Sequence, residues 1–140
     1  MTQAPELTTT DATTTVRSFL ESLEREDFDA AVALLDYDIV WRNTSLPTVR
    51  GIDRTERMLR SMSRYKIDFA VEIHHIVGEG GVVLTERTDY LGFGRVKIGF
   101  WVCGTFEVQD GKITLWHDHF SWENFLRGTA VGLVRSLLPR

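Results

Sequence analysis

The second half of the chain reads as four long strand-like segments in succession, and no other feature constrains the fold as much. They cover residues 66–77, 82–93, 96–109 and 113–122. The breaks between them are Gly78-Glu79-Gly80-Gly81, residues 92–95, and Asp110-Gly111. Asp-Gly is a strong hairpin signal, because the favoured two-residue turn needs positive φ at both positions. Successive hairpins make an antiparallel meander. Strands of this length in a chain of 140 residues twist and must curl strongly.

Upstream the apolar period is helical. Val16, Phe19, Leu20 and Leu23 follow Asp11, a plausible N-cap, and predict a first amphipathic helix to about Arg25. Asp27 introduces a second, shorter helix with Phe28, Ala31, Val32, Leu34 and Leu35 as its apolar stripe. Residues 37–43 read as a strand that ends at Ser45-Leu46-Pro47. Gly51 and Asp53 precede a third helix over 54–63, and residues from Glu123 onward form a last one. The expected architecture is α+β: a strongly curved, largely antiparallel mixed sheet with helices packed into its concave side. Such a cone encloses an apolar cavity. Residues 1–10 are expected to be a flexible tail or a segment docking on a partner subunit. Residues 11–140 form one domain, the natural count at roughly 100–200 residues per domain.

Charge and composition exclude several classes. The net charge of −4, with no long basic run, argues against nucleic acid. No stretch approaches the roughly 18 apolar residues of a membrane span. Residues 1–10 lack the features of a signal peptide, so a cytoplasmic location is expected. The single Cys103 cannot form an internal disulfide and reads as a small core residue. His74, His75, His117 and His119 lack the spacing of a zinc site, so no metal is expected. His117 and His119, with Trp101, are expected to line a subunit interface.

Side chains alternate faces along a strand. Arg87 and Asp89 therefore share a face with the apolar Val83 and Leu91. Asp118 shares one with Trp116, Phe120 and Trp122, and Asn43 with Ile39 and Trp41. In each case polar groups interrupt an apolar face, which should be the concave one. Buried charges must be paired and hydrogen-bonded. Arg87 keeps its proton, and its planar fork serves two carboxylates at once. With both carboxylates charged the cluster would be a net anion, so one Asp should stay protonated. One acid and one base would then face a lipophilic pocket. A register slip of one residue would instead turn these side chains into a surface ion pair. Leu91, Phe120 and Phe125 neighbour the cluster and are expected to bind substrate.

The motifs Trp41-Arg42-Asn43, Leu46-Pro47, Gly51, Glu86-Arg87-Thr88-Asp89 and Trp116-His117-Asp118-His119-Phe120 carry a resemblance. Over residues 9–138 the chain resembles the limonene-1,2-epoxide hydrolase family, within the NTF2/ketosteroid-isomerase-like and polyketide-cyclase-like folds. The resemblance implies cofactor-independent hydrolysis of a lipophilic epoxide to a vicinal diol, with no covalent intermediate or metal. It implies Asp118 as the base that activates water, Asn43 as the amide holding that water, Asp89 as the acid and Arg87 as the bridge. The family has a tyrosine two residues before the Asn, where this chain has Trp41, whose N–H donates but cannot accept. Two other functions fit the same fold: a ketosteroid-isomerase or cyclase-like enzyme, and a non-catalytic module binding a hydrophobe. All three predict a homodimer that covers the open back of the sheet.

Overall fold

The structure, a computed structural model, describes residues 9–138. Helix α1 (Thr9–Glu24) begins two residues before Asp11. Asp11 thus lies in the first turn, where a negative charge suits the helix dipole. Thr9 and Thr10 belong to the helix and not to the expected tail; the rest of that tail lies outside the described residues. Helix α2 (Phe28–Ala33) starts as expected, with the Asp27 carboxylate accepting from the Ala30 N–H at 3.1 Å. Helix α3 (Ile52–Arg64) follows Gly51, whose φ of 90° suits a residue without Cβ.

The strands are β1 (Leu35–Asn43), β2 (Val49–Arg50), β3 (Ile67–Glu79), β4 (Val82–Phe93), β5 (Val96–Gln109) and β6 (Lys112–Phe120). They form one mixed sheet in the order β2-β1-β6-β5-β4-β3. The meander β3 to β6 is antiparallel. Its turns are tight: Gly80-Gly81 and Asp110-Gly111 all carry positive φ, as a two-residue hairpin of the favoured hand requires. The first turn is therefore two residues, shorter than the sequence suggested. β1 closes the sheet by pairing in parallel with β6, setting Trp41 beside Trp116 and Asn43 beside Asp118. The two-residue β2 was not foreseen, since so short a strand has no alternation to detect.

β6 ends at Phe120. Ser121 then caps helix α4 (Trp122–Leu137) by accepting from the Asn124 N–H at 3.3 Å. Trp122 is thus the first residue of a helix and not the end of a strand, because the Ser121 hydroxyl satisfies a free helical N–H at that point.

Alternate residues of β4 and β5 face the core. Val16, Phe19 and Leu20 of α1 pack with Ile39, Val83, Phe106 and Ile113 in one buried cluster. The first three helices fill the concave side. α4 lies along the open edge of β5, beyond the point where β6 stops pairing. There the Trp101 N–H donates to the Asn124 side chain at 2.7 Å. A Cβ at Gly128 or Gly132 would collide with the carbonyls of Gly99 and Lys97, so both positions need glycine for the helix to seat. Among the described residues no helix is long and apolar enough to cross a membrane.

Cys103 departs from the expectation. It lies half-buried on the outer face, opposite Glu86 in the register, and not in the core. The alternation that places Val102 and Gly104 inward places Cys103 outward. Partial burial and then the Glu86 charge push its thiol upward.

Candidate active site

The Arg87, Asp89 and Asp118 side chains meet on the concave face and are nearly inaccessible, at 0%, 5% and 6% exposure. Arg87 Nε donates to Asp89 Oδ1 at 2.8 Å, and Nη2 donates to Asp89 Oδ2 at 3.0 Å, a bidentate pair. The same Nη2 donates to Asp118 Oδ2 at 2.7 Å. The remaining nitrogen, Nη1, donates to the Thr85 hydroxyl at 3.0 Å. One cation thus bridges two carboxylates from different strands, as the alternation argument required.

Burial opposes the charge on Arg87, but Asp118 and Asp89 together outweigh it, and its pKa rises. Burial raises the Asp89 pKa; Arg87 pulls it down, and Asp118 adds to the rise. The net direction is upward, which favours the protonated form of Asp89.

The cluster lies in the wall of a cavity of about 250 Å³, which Asp89, Asp118 and Asn43 all line. Leu91, Phe120 and Phe125 line it as well, together with Trp41 and Trp122. Every site residue expected from the sequence therefore meets at this one cavity or, for Arg87, behind it. Asn43 is held beside Asp118 through Thr44. The Thr44 backbone N–H donates to the Asp118 carbonyl at 3.2 Å, its hydroxyl donates to the same carbonyl at 3.3 Å, and that hydroxyl accepts from the Phe120 N–H at 3.2 Å.

Trp41 is positioned by stacking. Its ring lies on Trp116 at 4.3 Å and 5°, and Trp116 meets Phe19 edge-on at 4.9 Å. The Nε1 atoms of both tryptophans are buried, with no hydrogen-bond partner among the described residues.

Three residues of the site escaped sequence reading: Thr44, Thr85 and Gly104. Thr85 was accessible to it, since it lies two residues before Arg87 on the same face. Gly104 was not. A Cβ there would stand 2.5 Å from Arg87 Nη1, 2.8 Å from Thr85 Oγ1 and 2.9 Å from Asp118 Oδ1. The guanidinium lies across the cluster only because position 104 has no side chain. Gly104→Ala is accordingly expected to displace Arg87 and destabilise the fold by about 1–3 kcal/mol, the usual cost of overpacking. A urea unfolding midpoint unchanged from wild type would contradict this.

His117 and His119 lie on the outer face, ring centroids 3.9 Å apart, as their alternation with Asp118 implies. Burial, with His119 and Arg42 nearby, lowers the His117 pKa. His75 pairs with Glu86 at 2.7 Å, and Trp101 Nε1 donates to the same carboxylate at 2.9 Å.

Residues 10–131 match the limonene-1,2-epoxide hydrolase catalytic domain. The chain is 45% identical over 124 residues to epoxide hydrolase EphG of Mycobacterium tuberculosis, covering 89% of this chain and 83% of that protein. It superimposes with a TM-score of 0.87 on the structure of an M. tuberculosis LEH-like epoxide hydrolase, at 46% identity over 90% of this chain and 94% of the other. A protein from Catenulispora acidiphila with a ketosteroid-isomerase-like fold gives a TM-score of 0.72 at 14% identity, over 83% and 92% of the two chains. That last likeness concerns the fold alone. The family match spans most of the chain and includes the Arg87, Asp89 and Asp118 positions, and the chain belongs to the limonene-1,2-epoxide hydrolase family.

Proposed function

We propose that this epoxide hydrolase opens a lipophilic epoxide by direct attack of one water molecule, with Asp118 as base and Asp89 as acid. Asn43 and Asp118 hold the water. Asp118 takes a proton from it as its oxygen attacks an epoxide carbon. The carbon–oxygen bond on the far side breaks, and Asp89 protonates the departing oxygen. The product is a vicinal diol. The proton gained by Asp118 then returns to Asp89, restoring the starting state. Arg87 orients both carboxylates throughout, and Leu91, Phe120 and Phe125 hold the apolar body of the substrate.

The observation that carries this reading is the charge count at the end of an apolar cavity. One guanidinium lies between two carboxylates, so neutrality requires one proton shared between them. Asp118 Oδ2 is committed to Arg87, while Oδ1 is buried and has no hydrogen-bond partner among the described residues, which leaves its lone pairs for a proton. Isomerase or cyclase chemistry calls for a base and an oxyanion hole made by a phenol or a protonated acid, and of these two donors the cavity offers only the acid, Asp89. Tyr37 and Tyr65 are 74% and 68% exposed, and Tyr90 lies on the outer face against Lys97, so no described tyrosine reaches the cavity.

The test is hydrolysis of a panel of lipophilic epoxides in ¹⁸O-labelled water. Single-turnover diol carrying the label, absent in Asp89→Asn and Asp118→Asn, supports direct water attack. Label appearing first in a protein carboxylate would mean a covalent intermediate. Binding of the same epoxides with no diol would favour a hydrophobe-binding module, with Trp41 in the cavity wall as the cause.

The raised Asp89 pKa sets a pH dependence. Donation requires the protonated acid, so kcat is expected to fall as pH rises through the Asp89 value, which lies above the ordinary aspartate pKa of about 4. The stability contribution has the same sign. Folding favours protonated Asp89, so that contribution is present in acid and is lost as pH rises through the folded value. A rate profile with no basic limb would count against Asp89 as the acid.

We also propose a homodimer through the outer sheet face, where Leu84 and Trp101 are half exposed. Light scattering that finds a monomer at micromolar concentration would refute it.

A further inference from the structure

We propose that Thr85 is a positioning residue for the proton transfers: its hydroxyl fixes the plane of the Arg87 guanidinium and, through it, the direction in which Asp118 presents its free oxygen. The role in catalysis rests on the epoxide reading above; the hold on the two carboxylates does not.

A guanidinium is a rigid plane with a nitrogen at each of its three corners. Asp89 takes the edge between Nε and Nη2, and Asp118 takes a second bond from Nη2. Both carboxylates therefore act on the same two corners. Two fixed corners define a hinge line, and the plane can still swing about it. The third corner, Nη1, has one partner among the described residues, the Thr85 hydroxyl at 3.0 Å.

Strand β5 blocks the swing in one direction. The Gly104 backbone lies so close that a Cβ there would stand 2.5 Å from Nη1, and the Phe106 ring centroid is 6.0 Å from the guanidinium carbon. Motion away from β5 is resisted at that corner by the Thr85 bond. Thr85 is a firm anchor. It is 3% exposed and stands opposite Gly104 in the β4–β5 ladder. Its oxygen accepts from Nη1, and its own proton can turn to the Gly104 carbonyl, 3.5 Å away.

The two carboxylates depend on this anchor to different degrees. Asp89 is gripped along an edge and moves with the guanidinium. Asp118 is held through Oδ2 alone, while Oδ1 is buried with no hydrogen-bond partner among the described residues. Where Oδ1 points therefore follows from where Nη2 points. A base must lie within hydrogen-bond reach of the proton it takes, so a tilt of the plane misdirects Asp118 first.

The experiment compares Thr85→Val, which keeps the shape and removes the acceptor, with Thr85→Ser, which keeps the acceptor. kcat and KM are measured across pH on the epoxide that wild type opens fastest, and the carboxyl groups of Asp89 and Asp118 are titrated by ¹³C NMR. Thr85→Val is expected to lose about 10–10²-fold in kcat, the scale of a small misplacement of a reacting group, with KM little changed. Thr85→Ser is expected to recover most of that loss. In Thr85→Val the coupled titration of the two carboxylates should move to higher pH, because a loosened cation favours their charged forms less. Should Thr85→Val fail to fold, Thr85→Cys, whose sulfur accepts only weakly, is compared with Thr85→Ser in the same way. Wild-type kcat in the variant without a good acceptor overturns the proposal. So does a loss that Thr85→Ser shares while the carboxylates titrate as in wild type; Thr85 would then matter only for packing. If wild type opens no epoxide, the hydrolase reading fails and the titration decides the rest: a signal that does not move in Thr85→Val overturns the hold on the cluster as well.

Discussion

Asp118→Asn is expected to lower kcat for epoxide opening by about 10²–10⁴-fold, the range for loss of a positioned base. The amide is isosteric with the carboxylate, and its oxygen can still accept from Arg87 Nη2. It has no lone pair basic enough to take a proton from water. A second consequence adds to the first. The Asp118 charge helps keep the Asp89 pKa raised, and the substitution removes it. Arg87 then acts on Asp89 alone and draws its pKa down, so the protonated acid persists over a narrower pH range. The variant should therefore show both a lower plateau and a basic limb moved to lower pH. Binding of the apolar substrate body should change little, because Leu91, Phe120 and Phe125 are untouched. A variant retaining wild-type kcat would eliminate Asp118 as the base.

Arg87→Met has the largest expected effect on stability. Removing one partner from a buried ion pair costs about 3–5 kcal/mol, because the remaining charge is left without compensation. Here two carboxylates remain, and the Thr85 hydroxyl loses its donor. Methionine fills part of the volume, so most of the loss is electrostatic. The pH dependence separates the two contributions. In the variant, burial and mutual repulsion raise both carboxylate pKa values, so protonation relieves the defect and the loss shrinks as pH falls. Urea unfolding at neutral and at acidic pH reads this directly. An equal loss at both pH values would mean that Arg87 matters through packing.

Much of the site was legible because it departs from a pattern. Arg87, Asp89, Asp118 and Asn43 stood out as polar residues on apolar strand faces, and burial requires such residues to find one another. β4 and β5 were legible to the residue, since their tight turns follow from glycine and Asp-Gly chemistry. The end of β6 was not. Phe120, Ser121 and Trp122 continue a strand-like run, and only the hydrogen bond from the Asn124 N–H to Ser121 turns the chain into a helix there.

What the sequence determined by itself was local and periodic: which segments are strands or helices, which side chains share a face, and that two carboxylates and one guanidinium would have to be neutralised together. What the tertiary structure decided was adjacency between segments far apart in the chain. The parallel pairing of β1 with β6 puts Asn43 beside Asp118, the crossing of β5 beneath the cluster makes Gly104 indispensable, and the edge of β5 left open by β6 receives α4. Periodicity records which way a side chain points, because that depends on its own backbone. Which neighbour it meets depends on the closure of the whole sheet, and no stretch of sequence carries that alone.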